Sequence, residues 1–320
     1  MKQIVKRGVQ KDAAGQRRRS HWKSVWYYRG FYLMFLPVLA FALAFYYLPM
    51  FGIRYAFFSY NGIKEPAFVG LAHFRKMFSM PGFWSAFSNT VYLSVMKLLF
   101  NTGAAVLISI LLNELRYVRF KKTVQTLIYL PYFMSWVVTA SVYSLILSPT
   151  SSGLVNAVLE KTGLVQEGIY FLGSKDWWRP TYFIINLWKD TGWGTIIFMA
   201  SLAGINPELY EAASIDGANR FNKIRFITIP ALGNTIITVL ILNLARIMNL
   251  FESVFVLQNA AVTSVSDVLQ TYIYTQTFNS GGLPDYGYTT AVGLVSSVVG
   301  CILVLVCNRI SHKVRGRGIV

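Results

Sequence analysis

The chain has 320 residues, of which 54% are hydrophobic and only 13% charged, with 30 Lys and Arg against 13 Asp and Glu for a net charge of +17. A globular domain carries about 25% charged residues, so an ordinary water-soluble protein is excluded, as are disordered and disulfide-stapled classes. The apolar residues collect in blocks of about 20, enough to cross a hydrocarbon core of about 30 Å at about 1.5 Å per residue.

Taken in chain order, six spans are expected, at about 30–50, 90–112, 124–147, 180–204, 233–257 and 288–307. The first is too long for a signal-peptide core and no small-residue cleavage site follows it. Basic residues divide unevenly around these spans. Twenty lie in residues 1–29, the two even-numbered connections and the C-terminal tail, seven lie on the other side, and Lys97, Lys189 and Arg246 fall inside spans. The positive-inside rule then places both termini in the cytoplasm. The charge is a topology signal, and anionic lipid accounts for the basic tail at 1–29 without nucleic acid. Residues 30–320 form the transmembrane part. Cys301 and Cys307 share the last span, and the three histidines are scattered, so neither a disulfide framework nor a metal site is expected. No P-loop, no His-Glu-x-x-His and no Gly-x-Ser-x-Gly occurs.

Several spans carry polar stripes. Thr90, Ser94, Lys97 and Asn101 lie at steps of four, three and four on one helix face. Asn186, Lys189, Asp190 and Trp193 share a face of the fourth span, while Asn243, Arg246, Asn249 and Glu252 drift around the fifth. Polar groups inside a membrane face a cavity or each other, because exposing a charge to lipid costs about 2.5–3.5 kcal/mol or more. One reading is a water-filled path lined with hydrogen-bonding groups, with Trp136, Trp188, Trp193 and Tyr132 able to stack on apolar faces of a solute. The other is helix–helix bonding. Helix bonding is preferred for Lys97, and the path for Arg246, Asn249 and Glu252.

The connection at 205–232 is not an ordinary loop. Asn206 before Pro207 is a helix start, with Glu208 in its first turn. A short helix runs to Ile215, Gly217 breaks it, Asp216 caps a second amphipathic piece, and Pro230 ends that piece before the fifth span. Further along, residues 265–278 read as a short amphipathic helix in an outer loop that has no Lys or Arg between 258 and 287.

The run Glu211-Ala212-Ala213, then Gly217, then Ile227-Thr228-Ile229-Pro230 resembles the EAA signature of permease subunits of binding-protein-dependent ABC importers. The family usually has Leu where this chain has Ile229. Stretches at 68–74 (FVGLAHF), 130–136 (LPYFMSW), 188–194 (WKDTGWG), 251–259 (FESVFVLQN) and 267–274 (DVLQTYIY) are similar to carbohydrate-uptake permeases, of the polysaccharide and complex-oligosaccharide type that includes an alginate-importer subunit. The resemblance implies an all-α integral membrane fold with six transmembrane helices, the type I ABC importer permease fold. It also implies that Glu211, Ala212, Ala213, Asp216, Gly217 and Pro230 belong to a coupling helix docked on an ATPase. The implied partners are a second permease, giving a heterodimer, two ATPase subunits that bind ATP and Mg, an extracytoplasmic solute-binding protein and a saccharide, all at a bacterial cytoplasmic membrane. This chain itself holds no cofactor and is not an enzyme in that reading. An importer of amino acids or polyamines and a membrane-embedded polysaccharide-processing enzyme are the alternatives. The sugar-type stretches argue against the first, and the lack of an Asp-x-Asp pair or triad-like cluster argues against the second.

Overall fold

The computed structural model describes residues 26–150, 152–244, 247–279 and 281–315. Most of the basic tail at 1–29 therefore lies outside the described residues, as does Arg246. The chain divides into two compact units, Met1–Tyr55 and Ala56–Val320.

In the first unit, α1 (Arg29–Ala42) contains Pro37 and buries none of its residues. It continues through a π-helical turn, Leu43–Tyr47, into a 3-10 run, Leu48–Phe57, giving one helical stretch of 29 residues. The expected span at 30–50 is thus the N-terminal part of a longer element that runs on to Phe57.

The second unit opens with a minimal ribbon, β1 (Phe58–Ser59) antiparallel to β2 (Ala67–Phe68), with Phe58 opposite Phe68. Then come α2 (Ala72–Ser79) and α3 (Pro81–Glu114), which has Pro81 in its first turn and is 34 residues long. The third expected span is not one helix. It consists of α4 (Val118–Tyr129), a 3-10 turn Leu130–Phe133, and α5 (Trp136–Ile146), with a bend of 105° between the two parts. Pro131 lacks a backbone donor, and the Ser135 hydroxyl accepts from Val138 N at 3.2 Å, so the second piece starts a new helix with its own cap. α6 (Leu154–Lys161) precedes α7 (Lys175–Ala203), a 29-residue helix.

The coupling segment contains α8 (Pro207–Ile215) and α9 (Arg220–Lys223), and α9 passes through a π turn, Ile224–Thr228, into α10 (Ile229–Leu244). Here the sequence reading needs correction: Pro230 does not end the second amphipathic piece. The wider π turn just ahead of it loosens the hydrogen-bond ladder where a proline would otherwise clash, so the helix continues into the span. The fifth span is also shorter than expected, ending at Leu244, with α11 (Phe251–Leu257) as a separate helix. The outer segment holds α12 (Thr263–Ser266) and α13 (Leu269–Phe278), and α14 (Tyr286–Arg315) closes the chain. Among the described residues, four helices qualify as spans by length and apolarity, or five if the bent pair counts as one. α7 is long enough, but Lys175, Asp176, Arg179, Lys189 and Asp190 make it too polar for that criterion. It is buried instead against its neighbours.

α3 and α7 run side by side at the centre of this unit. Gly194 permits their close approach, since a Cβ there would lie 2.8 Å from the Ala105 methyl. Three apolar clusters extend from this pair. Leu93, Trp178, Tyr182, Ile185 and Val254 join it to α11; Met77, Phe83, Leu269, Tyr288 and Val292 join α3 to α2, α13 and α14; Ala105, Phe198, Leu232 and Val239 join it to α10. In lipid, such contacts hold by packing and by hydrogen bonds rather than by expulsion of water. Trp178 supplies both: it stacks on Tyr182 at 5.1 Å and donates from Nε1 to Leu257 O at 3.0 Å, while Tyr182 pairs its hydroxyl with Ser253 at 2.9 Å.

Candidate functional site: the coupling segment and the membrane polar cluster

The coupling segment is built by local capping. Asn206 Oδ1 accepts from Glu208 N at 3.1 Å and Pro207 fills the first position of α8, as expected. Gly217 has φ +77°, the left-handed conformation that a side chain resists, and lets the chain reverse after α8. The cap of the following piece is Asn219 rather than Asp216: Asn219 Oδ1 accepts from Asn222 N at 2.8 Å. An Asn three residues ahead of the donating amide is the sequence signal that identifies this cap. Two contacts close the segment into a unit. Tyr210 OH meets Thr228 Oγ1 at 3.0 Å, and Lys223 Nζ donates to Ser214 Oγ at 2.5 Å. Glu211, Ala212, Asp216, Gly217 and Pro230 are exposed, with Ala213 half-buried. Beside them Leu209, Ile215 and Phe221 are exposed apolar side chains, Ile215 at 88%. The result is a short, rigid, partly apolar prominence.

The polar cluster centres on α7. Lys97 on α3 pairs with Asp190 at 3.1 Å, so these two stripes bind helix to helix. Lys189 is only 4% exposed, and its ammonium donates to Met134 O at 2.7 Å and Tyr132 O at 3.2 Å. It thereby serves carbonyls at the joint between α4 and α5 that a broken helix leaves without intrahelical donors. The same ammonium lies 5.3 Å from the Trp136 ring and 5.7 Å from the Tyr132 ring. Trp193 stacks on Tyr132 with centroids 5.0 Å apart and planes 11° from parallel. Gly192 admits α4 to this contact, because a Cβ there would strike the Ile128 carbonyl. Asn186 is fully buried and donates to Tyr182 O at 2.7 Å, and its Oδ1 has no partner among the described residues. Trp188 packs edge-on against Tyr143. Asn243, Asn249, Glu252, Trp188 and Trp193 are exposed. The structure therefore gathers Asn186, Lys189, Asp190, Trp193 and Tyr132 at one place and leaves Asn243, Asn249 and Glu252 at the surface. Sequence reasoning missed the load on Lys189, because the joint it serves is invisible in a span read as continuous.

The outer segment is tied down rather than free. Asn89 Nδ2 donates to Ser264 O and Asp267 O, Leu269 N donates to Thr90 Oγ1 at 2.8 Å, and Asn259 Nδ2 donates to Leu172 O at 2.7 Å. The single helix expected at 265–278 is divided at Asp267, whose backbone is extended and whose side chain accepts from Thr271 at 2.6 Å. Burial raises the Asp267 carboxyl above its usual range, and the Thr271 bond offsets part of that rise.

With this geometry in hand, comparison with known proteins is direct. The family of binding-protein-dependent transport system inner membrane components matches residues 105–316, which include the polar cluster on α7 and the whole coupling segment.

The chain belongs to this family.

The permease is 40% identical over 292 residues to the protein LplB of Bacillus subtilis, covering 90% of each chain. It is also 40% identical over 292 residues to YteP of the same organism, a polygalacturonan/rhamnogalacturonan transport system permease protein, covering 90% of the permease and 89% of the relative. Among solved structures it resembles a bacterial ABC transporter for import of the acidic polysaccharide alginate, at 35% identity and a TM-score of 0.83 over 92% of this chain and 99% of that one. A second likeness is to a bacterial alginate ABC transporter in complex with an alginate pentasaccharide-bound periplasmic protein, at 35% identity and a TM-score of 0.84 over 93% of this chain and 99% of that one. The helical importer-permease fold expected from the resemblance is thus the fold found, and the permease is a membrane transport subunit rather than an enzyme.

Proposed function

We propose that the permease is one transmembrane half of an ABC importer carrying an oligosaccharide or polysaccharide across the cytoplasmic membrane, driven by ATP hydrolysis in partner subunits. The observation that carries this is the exposed prominence around Glu211–Gly217, tied by Tyr210–Thr228 to the helix that enters the fifth span, in a chain similar over nine-tenths of its length to a polygalacturonan/rhamnogalacturonan transport system permease. A second permease completes the path, two ATPase subunits receive the prominence, and a solute-binding protein delivers the sugar to the outer segment. Both termini lie in the cytoplasm on the evidence of 20 basic residues against seven. The path runs along Asn186, Trp188, Lys189, Asp190 and Trp193 of α7 and past Asn243, Arg246, Asn249 and Glu252. Its exposed members touch the sugar, while Asn186 and Lys189 hold the wall behind them.

Two substitutions test this in the reconstituted complex. Gly217→Pro or Glu211→Lys uncouples ATP hydrolysis from uptake; unchanged saccharide-stimulated ATPase activity removes the coupling role. Arg246→Ala weakens saccharide uptake without loss of assembly, whereas normal uptake kinetics removes that residue from the path. Stimulation by amino acids or polyamines but not by oligosaccharides overturns the choice of cargo.

A further inference from the structure

α3 and α7 also enclose a space unrelated to the polar cluster. It is an apolar groove of about 340 Å³, lined on α3 by Tyr92, Met96 and Phe100 and on α7 by Pro180, Phe183, Ile184 and Leu187, with Arg179 at one end. At about 100° per residue, the 180–184–187 face of α7 points roughly 120° away from the face bearing Asn186, Lys189, Asp190 and Trp193. The groove therefore faces away from the polar cluster.

Its depth is informative. α7 has 29 residues, so it extends beyond a hydrocarbon core of about 30 Å by roughly one turn at each end. Arg179 sits one turn into the helix, at the level of lipid headgroups. From there to Leu187 the groove descends about 12 Å, most of one leaflet. Trp177 on the same turn is exposed, as expected of an interface residue.

The charge at the upper end is uncompensated. Arg179 Nε donates to Val265 O at 3.2 Å, Nη2 donates to Asn89 Oδ1 at 2.8 Å, and the guanidinium lies over the Tyr92 ring at 4.7 Å. These contacts fix the guanidinium in place, but none is anionic. Among the described residues, no carboxylate pairs with it. A cation held at headgroup depth above an apolar slot fits a molecule with a phosphate at one end and a hydrocarbon chain at the other.

We propose that this groove is a binding site for an anionic glycerophospholipid, with one acyl chain between α3 and α7 and the phosphate on Arg179. The assignment to the outer leaflet rests on the topology proposed above; the site itself does not. Bound there, the lipid joins the outer ends of α3 and α7 to residue 265 of the segment that Arg179 also holds.

The test uses the reconstituted complex in phosphatidylcholine vesicles carrying a trace of phosphatidylglycerol with a photoreactive acyl chain. Labelling is expected on peptides spanning 92–100 and 179–187, about tenfold above that from a matching diacylglycerol probe, which lacks the phosphate, the factor of one charge-assisted contact. Arg179→Gln removes that headgroup preference. Ile184→Trp fills the slot, leaves Arg179 in place, and abolishes labelling by both probes, which keeps the test open should the Arg179 variant assemble poorly. Equal labelling by both probes, or labelling indifferent to Ile184→Trp, overturns the proposal. So does cross-linking of these peptides to the second permease, which would make the groove a subunit interface. Restricting the probe to the outer leaflet separates the two readings: loss of signal there alone overturns the topology and leaves the site standing.

Discussion

Replacing Lys189 by Met keeps the length of the side chain and removes its ammonium. Two main-chain carbonyls, of Tyr132 and Met134, then lose the donor that reaches them at 3.2 and 2.7 Å. A buried acceptor left without a partner costs about 1–3 kcal/mol, and at a residue only 4% exposed, water does not readily take the donor's place. Relief from burying the charge offsets part of this, leaving a net loss of about 2–3 kcal/mol. At about 2–4 °C per kcal/mol for a chain of this class, the melting temperature falls by about 5–10 °C. Lys189→Gln retains an amide donor and loses about half as much. Melting of the detergent-solubilised complex measures both. Spin labels at Leu127 and Leu145, which are exposed on the two arms of the joint, report the bend directly, and in the Met variant their distance distribution broadens. A Met variant that melts within about 1 °C of wild type and keeps a narrow distribution refutes the idea that Lys189 sets the joint.

Three other outcomes follow from the geometry. Gly217→Ala forces a side chain into a left-handed residue at φ +77° and costs about 1–2 kcal/mol, seen as a lower melting temperature. Gly192→Ala drives a methyl into the Ile128 carbonyl and costs about 1–3 kcal/mol by overpacking, with loss of the Tyr132–Trp193 stack visible in tryptophan fluorescence. The Asp267 carboxyl titrates above its unfolded value because of burial, so its contribution favours the fold at low pH and is lost as pH rises through the raised value. Asp267→Asn therefore flattens the decline in melting temperature above about pH 4, and parallel pH profiles for the two proteins count against the burial argument.

Most of the fold could be read from periodicity, and the exceptions share a cause. Apolar blocks locate α3, α10 and α14, and Asn206-Pro207 and Gly217 mark α8 correctly. What a linear pattern does not register is how a helix is interrupted. The joint at Met134–Ser135 lies inside an apolar run, where Pro131 alone is compatible with a kink, and the carbonyls at the 105° bend bond Lys189, which is distant in sequence. Pro230 misleads in the opposite sense, because the π turn that accommodates it has no residue signature of its own. For the polar site, the helix-face argument brought Asn186, Lys189, Asp190 and Trp193 together correctly. Helix bonding, preferred for Lys97, is what that residue makes with Asp190; that main-chain oxygens would use Lys189 was not anticipated, since hydrogen-bond partners across helices depend on packing rather than spacing.

The π turn at Ile224–Thr228 has a mechanical consequence. It makes α9 and the fifth span one continuous rod, from Arg220 to Leu244, to which α8 is tied by the Tyr210–Thr228 contact. A hinge between them would absorb a displacement at the cytoplasmic end; a rod of 25 residues delivers it about 37 Å away. Because a π turn holds roughly one residue more than an α turn, it also offsets the angular positions of side chains on its two sides by about 100°. Passage of that extra residue by one step along the rod would turn the intervening side chains about the axis without lengthening it. A linear push from below and a rotation within the membrane are thus two outputs of a single element, and Asn243 near its far end is carried by both.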